Sequence, residues 1–126
     1  MSGDNEITIL TVDDREEIRS LIKDLLISHG VTIQEASSGD EALLMLQLTQ
    51  PDLILLDVMM PGLDGIDTLK EIRRQYGHKT PILIVTARAN AETAKQAKEG
   101  GANGIIAKPF DPPRFIEKVL KTARAK

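Results

Sequence analysis

The apolar residues of this chain follow two alternating patterns. Short β-branched runs, in which consecutive residues are apolar, are each followed by a segment whose apolar residues recur every three or four positions. Runs of the first kind are typical of buried strands, and segments of the second kind are typical of amphipathic helices. Because the two patterns alternate five times, the sequence predicts five strand–helix units around a parallel sheet.

The first two units differ in how apolar their strands are. "ITILTV" predicts the first strand, whereas "VTIQE" predicts a second, more polar strand that lies nearer an edge of the sheet. Ser38 follows the second strand, and Glu41 stands three residues later. This spacing is typical of a capping box, so the second helix is expected to begin directly after Ser38.

The remaining units place the sheet centre and the final helix. "LILLD" is the most apolar run and predicts a central strand that is buried on both faces, while "PILIVT" and "GIIA" predict strands four and five. Helix four is expected to pack weakly, through a face of Ala91, Ala94 and Ala97. The last helix is expected to begin at Pro112, with Asp111 as its N-cap.

Composition limits the class of protein. The 126 residues fit one compact domain, and 41% hydrophobic and 28% charged residues are ordinary globular values. The sequence has no cysteine, no apolar run of the ~20 residues that a membrane helix needs, and no basic segment followed by an apolar one at its start. We therefore expect a single domain over residues 1–126, located in the cytoplasm.

Charge is distributed unevenly along the chain. Residues 1–60 carry 12 acidic and 3 basic residues, for a charge of -9, and residues 61–126 carry 7 acidic and 13 basic residues, for +6, which sum to -3. Such polarity indicates either an interaction surface or the ordinary solvation of helix faces. With one Tyr, two Phe and no Trp for base stacking, direct binding to nucleic acid is not expected.

Polar side chains follow four of the five predicted strands. Asp13 and Asp14 follow the first strand, Asp57 the third, Thr86 the fourth and Lys108 the fifth. In an open parallel sheet, ligands bind beyond the carboxyl ends of the strands, so these side chains are expected to meet at one edge. Each residue alone has an ordinary explanation, such as Asp14 acting as a helix N-cap, but their coincidence favours a site.

Three neighbouring carboxylates require a proton or a cation among them. A set of oxygen ligands without His or Cys favours a hard ion, and Mg²⁺ accepts carboxylates together with retained waters. With a cation in place a phosphoryl group can approach, and Asp57 can act as its nucleophile because a carboxylate is already ionised at neutral pH. Thr86 and Lys108 can then stabilise the acyl phosphate.

The segments "TVDD", "LILLDVMMPGLDG", "PILIVTA" and "GANGIIAKPF" resemble the receiver domain of two-component response regulators, over essentially the whole chain. The resemblance implies a flavodoxin-like, doubly wound (βα)5 fold with strand order 2-1-3-4-5. It also implies that Asp57 is the phosphoacceptor and that Lys108 pairs with the phosphate. It implies that Thr86 provides the switch hydroxyl. It also implies that Mg²⁺ is held by Asp13, Asp14, Asp57 and the backbone carbonyl of Met59.

The resemblance further implies a signalling function. A receiver takes its phosphoryl group from a sensor histidine kinase or a histidine phosphotransfer protein, and catalyses only its own phosphorylation and dephosphorylation. The expected output surface is formed by helix four, strand five and helix five, and binds a downstream protein or an output domain. The family also predicts a cis peptide bond between Lys108 and Pro109.

One position departs from the family pattern. Receivers usually carry an aromatic residue three positions before the lysine, and here that position is Ile105, so an in-and-out swing of a ring cannot operate. Met59 and Arg88 also lack the carboxylate or amide that positions attacking water, which leaves the lifetime of the phosphorylated state open.

Two other functions compete with this interpretation. A phosphohydrolase of the haloacid dehalogenase type also uses a strand-end Asp, but it needs a second Asp where Met59 stands. A constitutive binding module would not need the intact acid set. The chain ends one helix after Lys108, which is consistent with a stand-alone receiver or with a piece of a longer protein.

Overall fold

Five parallel strands form a single sheet in the order β2-β1-β3-β4-β5, as the resemblance to receiver domains implied. This computed structural model describes residues 6–59 and 64–125. The strands are β1 (Ile7–Val12), β2 (Val31–Ala36), β3 (Leu53–Leu56), β4 (Ile82–Thr86) and β5 (Gly104–Ala107). The helices are α1 (Glu16–Leu26), α2 (Gly39–Leu46), α3 (Gly65–Tyr76), α4 (Ala91–Gly100) and α5 (Pro112–Arg124). The more polar strand β2 lies at an edge and the apolar β3 lies at the centre, as expected.

The sheet divides the interior into two hydrophobic cores. On one face, α1 and α5 pack against residues such as Ile9 and Leu55, and Phe115 lies in that core. On the other face, α2, α3 and α4 cover Ile54 and Leu56. All four residues of β3 are buried, because alternate side chains of a strand enter opposite cores. Burial on both sides explains why this strand is a continuous apolar run.

The predicted helix starts are confirmed. The Ser38 hydroxyl accepts a hydrogen bond from the Glu41 N–H at 3.0 Å, although the Glu41 carboxylate returns to the N–H of Ser37 rather than to that of Ser38. The Asp111 carboxylate accepts from the Arg114 N–H at 3.2 Å, and Pro112 is the first residue of α5. Side-chain caps of this kind satisfy backbone donors that the first turn of a helix leaves unpaired.

The predicted apolar face of α4 is wrong. Ala97 is buried, but Ala91 and Ala94 are exposed, and the helix packs through Thr93, Ala97 and Gly100 instead. The Asn90 side chain caps the start of the helix by accepting a hydrogen bond from the Thr93 N–H. The buried residues 93, 97 and 100 follow one another at intervals of four and three, and their small side chains bury little apolar area.

Two further expectations concerned a peptide bond near the site and membrane-spanning helices. The Lys108–Pro109 peptide bond is cis, as the family resemblance implied. Among the helices of the described residues, none is both long enough and apolar enough to cross a membrane.

Gly65 brings the start of α3 directly against the end of β3. A Cβ atom added at this glycine would overlap the carbonyl oxygen of Asp57 and the Cα atom of Val58, both of which belong to the backbone. The Gly65 N–H also donates to the Val58 carbonyl at 3.3 Å. The position of Asp57 therefore depends on the absence of a side chain at residue 65.

We predict that Gly65→Ala lowers the free energy of unfolding by about 3 kcal/mol, the upper part of the usual range for overpacking, because backbone atoms cannot move aside as a side chain can. Urea denaturation measures this change. Gly100→Ala is the matched control: its added Cβ would meet side-chain atoms alone, the nearest being the rotatable end of Leu69 at 2.8 Å. The control should change stability by less than about 1 kcal/mol, since alanine favours helix. Equal losses in both variants would contradict the prediction.

Candidate functional site

The carboxyl ends of four strands bring the predicted polar residues to one edge of the sheet. In the parallel register, Val12 of β1 lies opposite Leu56 of β3, and Thr86 of β4 lies opposite Ala107 of β5. Asp13, Asp57 and Lys108 each follow one of these paired residues. Parallel pairing alone therefore gathers side chains that are up to 95 residues apart in sequence.

Three carboxylates form the acidic part of the site. Asp13, Asp14 and Asp57 each offer one oxygen, and the three atoms lie within 4.8 Å of one another. Asp13 and Asp57 are buried, with 2% and 4% of their surface exposed, whereas Asp14 is open to solvent. Oxygen ligands at this spacing, with an open side for water, fit a hard divalent cation such as Mg²⁺.

Lys108 lies between the two buried carboxylates. Its Nζ atom is 2.7 Å from Asp13 Oδ2 and 3.3 Å from Asp57 Oδ2, and 12% of its side-chain surface is exposed. The ammonium therefore pairs with both acids, more closely with Asp13. A buried charge is tolerated only when it is paired in this way.

The pKa of the Asp57 carboxyl is raised above its usual value. Burial is the largest cause, because desolvation disfavours the charged form, and the neighbouring Asp13 carboxylate acts in the same direction. The Met59 N–H, which donates to Asp57 Oδ1 at 3.0 Å, and the Lys108 ammonium oppose this shift without cancelling it. Ionisation of Asp57 is thus less favourable in the folded protein than in the unfolded chain.

Thr86 and Ile105 lie on the neighbouring strands β4 and β5. Thr86 is fully buried at the end of β4, and its hydroxyl accepts a hydrogen bond from the Arg88 N–H at 3.1 Å. Ile105 pairs with Ile84 and packs against the core beneath α2, α3 and α4. Ile105, which stands where receivers usually carry an aromatic residue, thus packs against the core beneath α4, the helix that follows Thr86.

Asp14 is not the N-cap of α1. That position is occupied by Arg15, whose side chain makes no capping hydrogen bond, and the Arg15 N–H donates to Asp13 Oδ1 at 2.9 Å. The carboxylate that holds the start of the helix is therefore the one that also pairs with Lys108. This arrangement leaves Asp14 available to a ligand, and the alternative of Asp14 as a simple helix cap is wrong.

Arg19 is a contributor that the sequence analysis missed. Its Nη1 atom donates to the backbone carbonyl of Asp13 at 2.7 Å, and its Nε atom donates to the Glu35 carboxylate at 2.9 Å. The guanidinium is largely buried and ties the chain between β1 and α1 to the edge strand. A contact between a helix and the end of an adjacent strand has no fixed spacing, so no sequence motif could have revealed it.

Met59 lies next to the site, with its side chain 44% exposed. Its backbone carbonyl as a magnesium ligand stays a prediction. Residues 60–63, which follow Met59 in the segment "LILLDVMMPGLDG", lie outside the described residues.

We predict that Asp57→Asn stabilises the protein against unfolding at neutral pH in the presence of a chelator, since the substitution removes a desolvated negative charge beside Asp13. Because the folded pKa is raised, the ionised carboxyl costs stability above that pKa, and the cost disappears as the pH falls toward its unfolded value. The advantage of Asp57→Asn should therefore shrink on acidification, as followed by thermal melts across pH. An advantage that grows on acidification would contradict this.

Comparisons with known sequences agree with this geometry. A sequence model of the family described as the response regulator receiver domain matches residues 9–120. The chain is 40% identical over 124 residues to the transcriptional regulatory protein ResD of Bacillus subtilis, which covers 98% of this chain and 51% of that protein. It is 42% identical over 115 residues to the chemotaxis protein CheY-3 of Vibrio cholerae, covering 90% of this chain and 88% of that protein.

The lengths of these relatives differ. The chain spans about half the length of ResD and of the CpxR proteins that it matches, but most of the length of CheY-3. The names of several relatives are those of transcriptional regulators, so the expectation that the protein makes no contact with nucleic acid has no support from the comparisons.

Solved structures share the fold. The receiver domain of the Francisella response regulator 1452 superposes with a TM-score of 0.87 at 31% identity, over 96% of this chain and 100% of that one. The chemotaxis protein CheY4 of Vibrio cholerae gives a TM-score of 0.87 at 33% identity, over 93% of this chain and 98% of that one.

Proposed function

This chain belongs to the receiver-domain family of response regulators, and on that premise we propose that Asp57 accepts a phosphoryl group from a histidine kinase or a histidine phosphotransfer protein. The observation that carries the proposal is the convergence of Asp57, Asp13, Asp14 and Lys108 at one edge of the sheet. A structural ion pair would need one acid and one base, whereas here two buried acids share a single lysine and a third carboxylate lies within 4.8 Å of them. Members of this family act as signalling phosphoacceptors and not as conventional enzymes.

The transfer itself makes one bond and breaks one. An Asp57 carboxylate oxygen attacks the phosphorus of the donor phosphohistidine, the P–N bond breaks, and the histidine leaves with its nitrogen lone pair restored. Each Asp57 oxygen has one polar partner: the Met59 N–H donates to Oδ1, and Lys108 Nζ lies near Oδ2. Whichever oxygen attacks, the other therefore stays held by a hydrogen bond. Lys108 is then placed to pair with an oxygen of the transferred group.

The acid set fits a bound divalent cation. Asp13, Asp14, Asp57 and the Met59 carbonyl are the proposed magnesium ligands, and Asp14 lies on the open side of the cluster, where retained waters can complete the coordination. When bound, Mg²⁺ supplies the positive charge that offsets three carboxylates and an incoming phosphoryl group. Arg19 and Arg15 hold Asp13 for this task through its carbonyl and its Oδ1 atom.

The competing functions fit the site less well. A haloacid dehalogenase-type phosphohydrolase needs an acid two residues after its nucleophile, and Met59 offers a half-exposed thioether. A constitutive binding module gains nothing from two buried carboxylates, which are unfavourable unless a cation or a proton neutralises them. We therefore favour self-phosphorylation and self-dephosphorylation, with residues 1–126 acting as a single receiver domain. A cytoplasmic location stays a prediction.

We predict that phosphoramidate and Mg²⁺ add one phosphoryl group to the protein, as read by intact-mass spectrometry. Asp57→Asn should abolish the addition, because an amide oxygen is a poor nucleophile, and a chelator should abolish it in the original protein. The matched control is Asp67→Asn, an exposed aspartate in the first turn of α3, which should be labelled normally. Labelling that survives in Asp57→Asn would show that another residue accepts the group, and labelling that survives in the chelator would contradict the need for a metal ion.

The output surface that we propose consists of α4, β5 and α5. It carries a basic excess that includes Lys95, Lys98, Lys118 and Lys121. The buried residues of helix α4 are the small ones at 93, 97 and 100, and the helix directly follows the loop that leaves Thr86. A partner of complementary charge, whether a separate protein or an output domain, would bind there.

Switching has to proceed without an aromatic ring at position 105. When the Thr86 hydroxyl turns toward a phosphoryl oxygen, it gives up its hydrogen bond with the Arg88 N–H and vacates a small buried volume. The loop after β4 and the Ile105 side chain can then shift by repacking alone, which favours one of two pre-existing arrangements.

We predict that a stable beryllofluoride phosphate mimic with Mg²⁺ changes amide hydrogen exchange in residues 86–108, while α1 and α2 respond little. Thr86→Ala should reduce this response because it removes the hydroxyl that senses the phosphate. Thr11→Ala, at another buried threonine, is the matched control and should respond fully. A full response in Thr86→Ala, or a change confined to the loop after Asp57, would show that the signal follows another route.

A further inference from the structure

A groove lies at the opposite end of the sheet from Asp57. It opens between the carboxyl-terminal ends of α2 and α3, beside the segments that enter β3 and β4, and has a volume of about 350 Å³. Ile54 and Ile72, both essentially inaccessible, form its floor, and Leu46, Leu48 and Tyr76 contribute its walls. None of these residues belongs to the site described above.

The apolar walls of this groove are unusually open. Leu48 exposes 88% of its surface and Tyr76 exposes 39%. Soluble proteins expose single apolar residues often, but here two exposed side chains border a concave space with a buried apolar floor. The shape and composition are those of a small-molecule pocket, which typically measures about 300–1,000 Å³ and is mostly apolar with a few polar groups.

The charges at the groove have one sign. Arg73 and Lys79 line it, and none of its lining residues in the described chain is a carboxylate. Within the same described residues, neither cation forms a salt bridge. Among residues 6–59 and 64–125, the partners of Arg73 are all neutral acceptors: the carbonyls of Gly77, Thr80 and Gly101 and the side chain of Asn103. Its positive charge is therefore oriented but not neutralised.

We propose that this groove binds a small amphipathic anion, an aromatic or short aliphatic carboxylate or sulfonate. Its apolar body lies on Ile54 and Ile72 between Leu48 and Tyr76, and its anionic group lies at the Lys79 and Arg73 end. The Tyr76 hydroxyl makes no hydrogen bond within the described residues and supplies a further donor. A protein partner is less suited to the groove, because a stable protein interface needs about 800 Å² on each side, and this feature is narrow and concave.

Binding of this anion should be detectable at residues that are bonded to Arg73. The guanidinium joins Gly77 and Thr80, at the rim, to Gly101 and Asn103, in the turn between α4 and β5. An anion that draws on Arg73 should therefore perturb amides on both sides of this residue. Binding elsewhere on the surface would not connect those two segments.

The test is an amide NMR titration of the full chain with two probes of equal size, naphthoate and the neutral naphthalenemethanol. Naphthoate should shift the amides of Leu48, Tyr76, Gly77 and Thr80, together with Gly101, and should bind more tightly than the alcohol. Lys79→Gln should weaken naphthoate binding by up to about fivefold, the range for a partly exposed charge pair. It should leave binding of the alcohol unchanged.

Matched variants distinguish binding in the groove from nonspecific binding to other exposed apolar or basic residues. Leu48→Gln should weaken both probes about tenfold, because it removes an apolar wall. Leu44→Gln removes another exposed leucine, one that does not line the groove, and should have no effect. Lys121→Gln, on α5, matches the charge change of Lys79→Gln and should also have none.

Several outcomes would overturn the proposal. These are equal affinity for the acid and the alcohol, shifts that map outside the groove, and the absence of saturable binding. Concentration-dependent self-association that Leu48→Gln abolishes would show instead that a second copy of the chain covers this surface. The result is independent of phosphorylation, since every measurement uses the unmodified protein without metal.

Discussion

The pairing of Lys108 with two buried carboxylates is the interaction on which the candidate site depends. Asp13 and Asp57 are brought together by the pairing of β1 with β3, and like charges this close and this buried repel unless a cation lies between them. A single ammonium can offset one carboxylate but not three. The site is thus short of positive charge in the folded protein, and this deficit would favour a divalent cation there.

The two sides of the site are held with different stiffness. On the Asp57 side, Gly65 lets backbone pack on backbone, and the Met59 N–H fixes one carboxylate oxygen, so movement would break main-chain contacts. On the Thr86 side, the next helix is held by small side chains that bury little area. A perturbation at the acids is therefore expected to relax toward α4 and β5, because displacement there costs less packing energy than displacement of α3.

The strand–helix units and the grouping of the polar residues at one edge could be predicted because both follow from strict periodicities, whereas the strand order came from the family resemblance. A buried parallel strand must be apolar on both faces, so β3 was recognisable, and residues that follow such strands must share one edge, so Asp13, Asp57 and Lys108 could be grouped. The inward face of α4 was mispredicted because Ala, Thr and Gly differ little in hydrophobicity, and a weak pattern cannot fix the rotation of a helix. Arg19 was missed because its partners, the Asp13 carbonyl and Glu35, are set by tertiary packing.

At the opposite edge of the sheet, backbone carbonyl groups need hydrogen-bond donors, and this need explains why the Arg73 guanidinium lies there. Parallel strand–helix units place the carboxyl ends of their helices at this edge, where carbonyl groups lack intrahelical partners. Arg73 plays this part just beyond the end of α3, where it satisfies the carbonyls of Gly77 and Thr80, and burial lowers the pKa of its guanidinium. A structural need of the fold thus leaves an uncompensated positive charge beside an apolar groove. Affinity for an amphipathic anion can therefore arise from the same contacts that terminate a helix, without any residue being reserved for binding.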